Sequence, residues 1–434
     1  MKQDNYLLNI FGYLAVTMGT LITLLSAVAA LNVLVDPFGI YWLVAKEGFN
    51  AYKPAMYARV RLYKAFEVTR RKPQAIILGT SRTHLGLRCS HEAWAGLEDR
   101  CYNLAFDGAT TREMYHYLRH AHAGSRLQLV VLGLDTYHLT LAPSFTRPDF
   151  DERVLDSPDG RLPGQFISGL LRLLVNMDTL RASLETIASQ GHAEPGWFSP
   201  NGQRLGPVFF HREGEHFLEF GPRAYFDEID RLEVGFQTEG VTRAPLQRSR
   251  PPSTVPADPE ESSLAYIQRI IIFCRAERID LRIFITPSHA HQLEIAAATG
   301  AEPAIENGKR ELVRLLGMDA SRHRDLRPIR LIDFSGYSSI TTETLPVVGS
   351  RDEMRFYWDS SHFKEIVGDY VLDRLFDVDS KARLVPSDLG MDLTSDTVEA
   401  VLASQHREQS AYRGRYAVDV HKLRSLVQAA VEKT

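Results

Sequence analysis

Few features of this 434-residue chain point to nucleic acid, a metal or a disulfide scaffold. The formal net charge is only −4, so no overall positive field attracts nucleic acid. The three cysteines, Cys89, Cys101 and Cys274, form neither a disulfide framework nor a zinc motif. Either Cys89 and Cys101 form a bridge in an oxidising compartment, or all three are reduced thiols. The sequence shows no internal repeat, and Gly79–Gly86 lacks the lysine and the spacing of a phosphate-binding loop.

Charged residues are absent from Tyr6 to Val35. This apolar stretch exceeds the roughly 20 residues that a membrane-spanning helix needs. A cleaved signal peptide has a shorter apolar core, of about 7–15 residues, and a basic start. Residues 27–30 (Ala-Val-Ala-Ala) resemble a cleavage site, but Lys2 is the only basic residue before the apolar stretch. We therefore expect a retained single-pass anchor.

The orientation of this anchor does not follow from its flanking charges. Lys2 precedes it, Lys46 and Lys53 follow it, and a more distant basic cluster would favour a cytoplasmic body. Large domains are translocated largely regardless of charge. We expect the N-terminus in the cytoplasm and the body on the other side of the membrane.

After the anchor, short apolar segments alternate with helical patterns. The predicted strands are 75–78, 102–106, 127–134, 280–285 and 329–332. The predicted helices are 55–71, 90–97, a helix starting at Thr111, 165–189, 263–278, 304–316 and 361–376. This alternation is typical of βαβ units, so the sequence predicts an α/β fold with a parallel sheet between layers of helices.

The rhythm stops between residues 140 and 262, where proline, glycine, arginine and aromatic residues are frequent. We interpret this segment as an insertion that covers or shapes a cleft, with a loop at 248–259. Its aromatic residues either stack on sugar rings or form a small core; they are Trp197, Phe209, Phe210, Phe217 and Phe220. The predicted organisation is an anchor (1–40), a first α/β part (41–139), the insertion (140–262), a second α/β part (263–380) and a polar tail with two weak helices (381–434).

The first strand ends in Gly-Thr-Ser-Arg, which delivers Ser81 to the sheet edge where α/β proteins carry their chemistry. Far downstream, Asp359 and His362 form a D-x-x-H motif. A serine hydroxyl needs a base to take its proton, and the base needs a carboxylate to orient it. Each residue alone also fits a helix cap or a surface position. Together they predict a catalytic triad, with the Ser81 hydroxyl within hydrogen-bond reach of the His362 ring.

Two further strand ends carry candidate site residues. The Ser81 amide and the amide of Gly108 are predicted to form an oxyanion hole, since glycine allows close backbone approach. Arg82 binds a carboxylate or sugar acid, or pairs with a nearby acid. His289, at the end of a later strand, is a candidate for the cleft lining, whereas Tyr137 and His138 fit either cleft or core. The pairs His120/His122 and His289/His291 lack flanking carboxylates, so we predict no metal and no cofactor.

With these motifs the chain resembles the SGNH (GDSL-like) hydrolases over about residues 70–140 and 265–377. Gly79–Arg82 matches the block that carries the nucleophile, and residues 103–108 match the block whose glycine serves the oxyanion hole. Asp359 and His362 match the last block. The third block usually reads G-x-N-D, and here Asp135 stands where the asparagine is expected. Either that donor is missing, or Asp135 is protonated or structural.

More closely, it resembles the membrane-anchored members that act in cell-envelope polymer acylation, typified by the alginate O-acetylation proteins and the D-alanyl transfer protein of teichoic acid synthesis. The resemblance implies a catalytic domain with a flavodoxin-like fold. It also implies that the protein is anchored in the bacterial inner membrane, with this domain in the periplasm. It implies an O-acyltransferase or esterase that acts on an exported polysaccharide, beside a membrane-bound acyl-donor protein. The alternative is a non-catalytic scaffold of a polysaccharide synthesis or export complex.

Overall fold

The structure is a computed structural model that describes residues 2–140, 150, 152–155, 164–191, 196–206, 221–243 and 261–433. The predicted loop at 248–259 and the aromatic residues Phe209, Phe210, Phe217 and Phe220 lie outside these residues. The chain forms two compact units. One comprises Met1–Glu67 with Asp151–Trp197, and the other comprises Val68–Phe150 with Phe198–Thr434. The segment interpreted as one insertion is therefore divided between both units.

A mostly parallel sheet organises the second unit. Its strands in the described part of the chain are β1 (Ala75–Leu78), β2 (Cys101–Asn103), β3 (Leu129–Leu134), β4 (Asp280–Ile285), β5 (Arg330–Asp333) and β6 (Met391–Asp392). They lie in the order β2-β1-β3-β4-β5-β6, and only β6 is antiparallel to its neighbour. The order reverses between β1 and β3, and such a switch point opens a crevice at the strand ends.

Helices connect the strands and make up much of the rest of the described chain. They are α1 (Lys2–Val35), α2 (Val60–Arg71), α3 (Ser81–Gly86), α4 (Thr111–Ser125), α5 (Glu152–Leu155), α6 (Gly164–Leu174), α7 (Met177–Ala188), α8 (Pro222–Arg243), α9 (Ser263–Ala276), α10 (Ala290–Ala298), α11 (Glu302–Arg322), α12 (Glu365–Phe376), α13 (Val398–Arg415) and α14 (Ala417–Val431). Every residue of β1, β2 and β3 is buried, as expected for a parallel sheet covered on both faces. The predicted α/β class is confirmed.

Several predicted elements differ from the structure. The helix expected at 90–97 is wrong: one short 3-10 turn, Glu92–Trp94, stands there and ends at Ala95, which adopts a left-handed conformation, and a second 3-10 turn, Glu98–Arg100, follows. The helix expected at 165–189 is two helices, because Asn176 breaks the run and caps α7 with its side chain. The helix expected at 361–376 starts at Glu365, beyond His362. The short strand β6 and helix α8 carry no pattern that predicted them.

Helix α1 dominates the first unit. Its segment Ile10–Val35 is long and apolar enough to cross a membrane. The end of α1 is tied down by polar contacts: the Asn50 side chain donates to the carbonyl oxygen of Val35, and Lys53 donates to the same oxygen at 3.0 Å. Phe38, Ile40 and Ala182 form a small buried cluster next to these contacts. The chain that follows α1 is therefore firmly folded rather than a free linker.

A disulfide links Cys89 to Cys101 in the second unit, while Cys274 is a buried free thiol. The cysteines were expected either to include a Cys89–Cys101 bridge or to be three reduced thiols, and the structure contains the bridge. It closes the loop between α3 and β2, and the two cysteines are 12 positions apart. A cross-link of this kind restricts the unfolded chain more than the folded one.

Replacing both Cys89 and Cys101 by alanine is expected to lower the free energy of unfolding of the second unit by about 3 kcal/mol, the value for loops of similar length. Thermal melting of the full chain in detergent measures the loss. Cys274→Ala removes a thiol outside the bridge and controls for the loss of cysteine itself. An unchanged melting curve for the double variant, with and without reductant, would show that the bridge does not form.

Candidate active site

Strand β1 places Ser81 at the switch point of the sheet. The strand ends at Leu78, and α3 begins at Ser81 after a cap by Thr80, whose side-chain oxygen accepts a hydrogen bond from the Arg82 amide. Ser81 is thus the first residue of a helix. Its amide is one of the first-turn N–H groups that have no hydrogen-bond acceptor within the helix. Its partly exposed position leaves the hydroxyl open to a ligand.

Asp359 and His362 lie in a tight loop before α12. A bridge between Tyr357 and Phe363 closes the loop. The Asp359 carboxylate accepts hydrogen bonds from the amides of Ser361 and His362, at 2.7 and 2.8 Å, and its side chain is completely buried. This backbone grip fixes the carboxylate, so that it can in turn fix the imidazole.

The three residues form one hydrogen-bonded chain. His362 Nδ1 lies 2.8 Å from Asp359 Oδ2, and His362 Nε2 lies 2.9 Å from Ser81 Oγ. With Nδ1 protonated and donating to the carboxylate, Nε2 is free to accept the serine proton. The predicted hydrogen bond between Ser81 and His362 is therefore present.

Two glycines permit this juxtaposition. A Cβ atom on Gly368 in α12 would overlap the carbonyl oxygen of Gly86 in α3, and one on Gly86 would overlap the ring of Phe363. Helix α3 can therefore approach α12 much more closely than larger residues would allow. The approach brings the start of α3, with Ser81, to the loop that carries His362.

The surroundings of His362 favour its charged form. Burial by itself lowers the pKa of His362, but the Asp359 carboxylate outweighs this effect, and the net shift is upward from the ordinary value. Asp107 adds to the rise, whereas the Arg82 guanidinium opposes it. A base with a raised pKa accepts a proton readily, and the imidazolium it forms is stabilised in place.

The backbone segment that follows β2 runs beside β1 and leads to Gly108. Beyond β2, the amide of Leu104 donates to Ile77 and that of Phe106 donates to Gly79, so this segment runs parallel to the end of β1. Two residues further on, Gly108 has φ +59°, a left-handed conformation that favours glycine. His138 supports the segment, since its Nε2 lies 3.0 Å from the carbonyl oxygen of Ala109. Gly108 therefore follows the segment that runs beside the end of β1, and the oxyanion hole formed by the amides of Ser81 and Gly108 stays a prediction.

Asp135 is bound on all sides by protein groups. Its carboxylate accepts hydrogen bonds from the hydroxyls of Thr80 and Thr286, both at 2.7 Å, and pairs with Arg82 at 2.8 Å. Burial raises its pKa, but the Arg82 charge and these hydrogen bonds outweigh burial and hold the pKa below its ordinary value. Asp135 is therefore an anion whose hydrogen bonds connect the ends of β1, β3 and β4. This role is structural, since a carboxylate cannot donate a hydrogen bond to an oxyanion.

Arg82 joins this anion to the loop of the triad. The side chain is buried, and it donates to the carbonyl oxygen of Ser361 at 3.0 Å and to its hydroxyl at 2.8 Å. Asp135 and Glu233 balance its charge. Arg82 was expected either to bind a substrate acid or to pair with a protein acid. In the structure it pairs with protein acids.

Glu233, in helix α8, is a site residue that the sequence did not indicate. Its carboxylate accepts a hydrogen bond from the Ser361 hydroxyl at 2.6 Å and lies 3.4 Å from Arg82. Ser361 stands between the two downstream members of the triad, so Glu233 braces the loop from its outer side. A residue more than a hundred positions from its partners in a segment without a clear pattern gives no local signal of this contact.

His289 lies deeper than a cleft residue. It is 1% exposed, its Nε2 is 3.0 Å from the carbonyl oxygen of Glu343, and burial lowers its pKa to about 3. His291 pairs with Asp230 at 2.8 Å. Shortly after the end of β3, Tyr137 is exposed, whereas His138 is buried. Tyr137 is therefore the better candidate for the rim of the cleft.

Comparison with known proteins adds no family. The chain matches no protein-family model, and it matches no curated protein. The resemblance to the SGNH hydrolases consequently rests on the four short motifs and stays a prediction.

Proposed function

We propose that this protein is a serine-dependent acyl transferase or esterase that works through an acyl-Ser81 intermediate. The observation that carries the proposal is the continuous hydrogen-bonded chain from Ser81 through His362 to Asp359. A serine beside a neutral imidazole that is oriented by a buried carboxylate is the arrangement that nucleophilic acyl chemistry needs.

In the first half-reaction, Ser81 Oγ attacks the carbonyl carbon of an acyl ester while its proton passes to His362 Nε2. The negative charge on the carbonyl oxygen is stabilised by the amides of Ser81 and Gly108. The imidazolium, held by Asp359, then protonates the departing alcohol and leaves the acyl group on Ser81. In the second half-reaction, His362 takes a proton from water or a sugar hydroxyl, whose oxygen attacks the acyl carbon, and the imidazolium then returns this proton to Ser81 Oγ as the acyl–oxygen bond breaks.

Membrane location and substrate form part of the same proposal. Helix α1 is long and apolar enough to anchor the chain in a membrane. The Cys89–Cys101 bridge supports a body outside the cytoplasm, because disulfides persist in oxidising compartments. Together with the resemblance to anchored SGNH-like acylation proteins, these features favour acetyl transfer to a polysaccharide on the periplasmic side of a bacterial inner membrane. A membrane-bound acyl donor would supply the acetyl group.

A non-catalytic scaffold is the second candidate, and the state of Asp135 favours it. The asparagine that usually completes the oxyanion hole is replaced by an anion already saturated by Arg82, Thr80 and Thr286. Such a site stabilises an oxyanion with two amides instead of three donors. If that stabilisation is insufficient, the fold would only bind polymer or protein partners.

The test uses the full chain in detergent with a chromogenic acetyl ester. The proposal predicts turnover, an acetyl group on Ser81 that acid quenching preserves for mass spectrometry, and labelling of Ser81 by a fluorophosphonate. Adding oligosaccharides with free hydroxyls then separates transfer, which yields acetylated sugar, from hydrolysis. If neither acetylation nor labelling of Ser81 occurs, the scaffold is the better account.

The pH dependence of kcat/KM is expected to follow His362. The base must be neutral, so activity is lost as pH falls through its raised pKa, with a midpoint above the ordinary histidine value of about 6.5. Asp107→Asn removes one of the charges that raise this pKa while keeping a hydrogen-bond acceptor, so it should move the midpoint to lower pH. An acidic midpoint near the pKa of an ordinary carboxylate would contradict the role of His362.

A further inference from the structure

The connection between α6 and α7 lies beside the end of α1. Both helices pack against α1. The Asn32 side chain, buried near the end of α1, donates to the carbonyl oxygen of Leu174 at 2.9 Å and accepts a hydrogen bond from Ser183 at 2.8 Å. Leu174 ends α6, and Ser183 is in the middle of α7, so both are level with Asn32.

Coverage of α1 by the rest of the unit begins at Val28. Every residue from Ile10 to Ala27 is exposed, a length of about 27 Å at 1.5 Å per residue, which is enough to cross most of a hydrocarbon core of roughly 30 Å. We take the start of coverage as the membrane boundary, so Asn32 lies about 6 Å beyond it.

The hairpin formed by α6 and α7 points its tip back toward that boundary. In α6, the carbonyl oxygen of Leu170 accepts from Tyr41, which follows α1, whereas Leu174 is level with Asn32. Helix α6 thus runs toward the membrane. Helix α7 runs away from the membrane. Gln190, just beyond the end of α7, donates to the carbonyl oxygen of Tyr52, and the neighbouring Lys53 is bound to the end of α1 at Val35. The tip between them lies on the membrane side of Asn32.

The tip has the composition of an interfacial segment. Val175 and Met177 are 47% and 71% exposed, an apolar pair for which water is a poor solvent. Asn176 and Asp178 beside them are exposed and polar, which suits the headgroup level rather than the hydrocarbon core.

We propose that the tip of the α6–α7 hairpin, from Val175 to Asp178, inserts into the lipid interface and gives the protein a second membrane contact beside α1. This inference rests on the membrane anchoring proposed above. It makes no use of the acyl chemistry, which can fail without affecting it. A second contact would restrict the tilt and rotation of the anchored unit, because one helix alone allows both.

The test places a bimane fluorophore at Met177→Cys in the full chain, reconstituted in phosphatidylcholine vesicles that contain a spin-labelled phosphatidylcholine with the nitroxide near the headgroup. Labelling is selective, because Cys89 and Cys101 are bridged and Cys274 is buried. Leu21→Cys in α1 reports the anchor. Ala188→Cys is the matched control, exposed at the far end of α7.

We expect quenching at Met177 that is severalfold stronger than at Ala188. Quenching at Met177 as weak as at Ala188, with Leu21 strongly quenched, would overturn the proposal while leaving the anchor intact. Loss of quenching at Leu21 as well would overturn the anchor itself. Shielding of Met177 from both the lipid quencher and aqueous iodide would assign the tip to a second copy of the chain, which also contradicts lipid contact.

Discussion

Replacement of Ser81 by alanine is expected to reduce kcat about a million-fold, the scale seen when a nucleophile is removed from a serine hydrolase triad. The hydroxyl forms the bond to the acyl group, and a methyl group cannot replace it. Because Ser81 is at the start of a helix and partly exposed, the variant should fold normally. Acetyl-ester turnover and fluorophosphonate labelling measure the loss, and Ser90→Ala, at an exposed serine, is the matched control.

The other triad residues should give a distinctive pattern. Asp359→Asn is expected to lower kcat by about four orders of magnitude, because the amide favours the wrong tautomer of His362. The double variant Ser81→Ala/His362→Ala should be no slower than Ser81→Ala alone, since the residues act as one unit. Independent, multiplicative losses would show that the hydrogen-bonded chain is not the catalytic device.

Replacement of Arg82 by methionine is expected to lower the free energy of unfolding by about 3–5 kcal/mol, the cost of leaving a buried charge without its partner. Asp135 is 1% exposed and is paired with this guanidinium at 2.8 Å. Thermal or denaturant unfolding of the full chain in detergent measures the change. Arg314→Ala is the control, since Arg314 pairs with Glu311 on the surface and should leave stability unchanged.

A second substitution separates the charge from the packing. Adding Asp135→Asn to Arg82→Met removes the stranded anion, so the double variant should be more stable than Arg82→Met alone. Activity should stay low in both variants, because the contacts of Arg82 with Ser361 are lost. If the two destabilisations simply added, the ion pair would not be the reason for the effect of Arg82.

The fold was predictable where the signal is local. β1 is four apolar residues between a proline and a glycine, and the structure has it with the predicted bounds. β4 is likewise found where its apolar run predicts it. The triad was predictable for a related reason, since Ser81 follows a strand and the spacing of Asp359 and His362 lets one carboxylate grip the neighbouring amides. The polar ends of parallel strands meet at one sheet edge, which brings distant residues together.

The supporting network was not predictable, because it depends on contacts between distant and unpatterned segments. Glu233 lies in a helix without a clear apolar periodicity, and only the packing of that helix brings its carboxylate to Ser361. The roles left open for Arg82 depend on whether an acid lies within reach, which spacing alone cannot reveal. The helix expected at 90–97 failed because two adjacent residues, Ala95 and Gly96, take positive φ angles there.

The two ends of the triad are also far apart in time during synthesis. Ser81 and His362 are 281 positions apart, so at 5–20 residues per second the ribosome needs roughly 15–60 s to add the base after the nucleophile. During this interval Ser81 is an ordinary serine with no base to take its proton. In the export proposed above, the domain folds on the other side of the membrane, so the triad would form only there, and acyl donors in the cytoplasm would leave Ser81 unmodified.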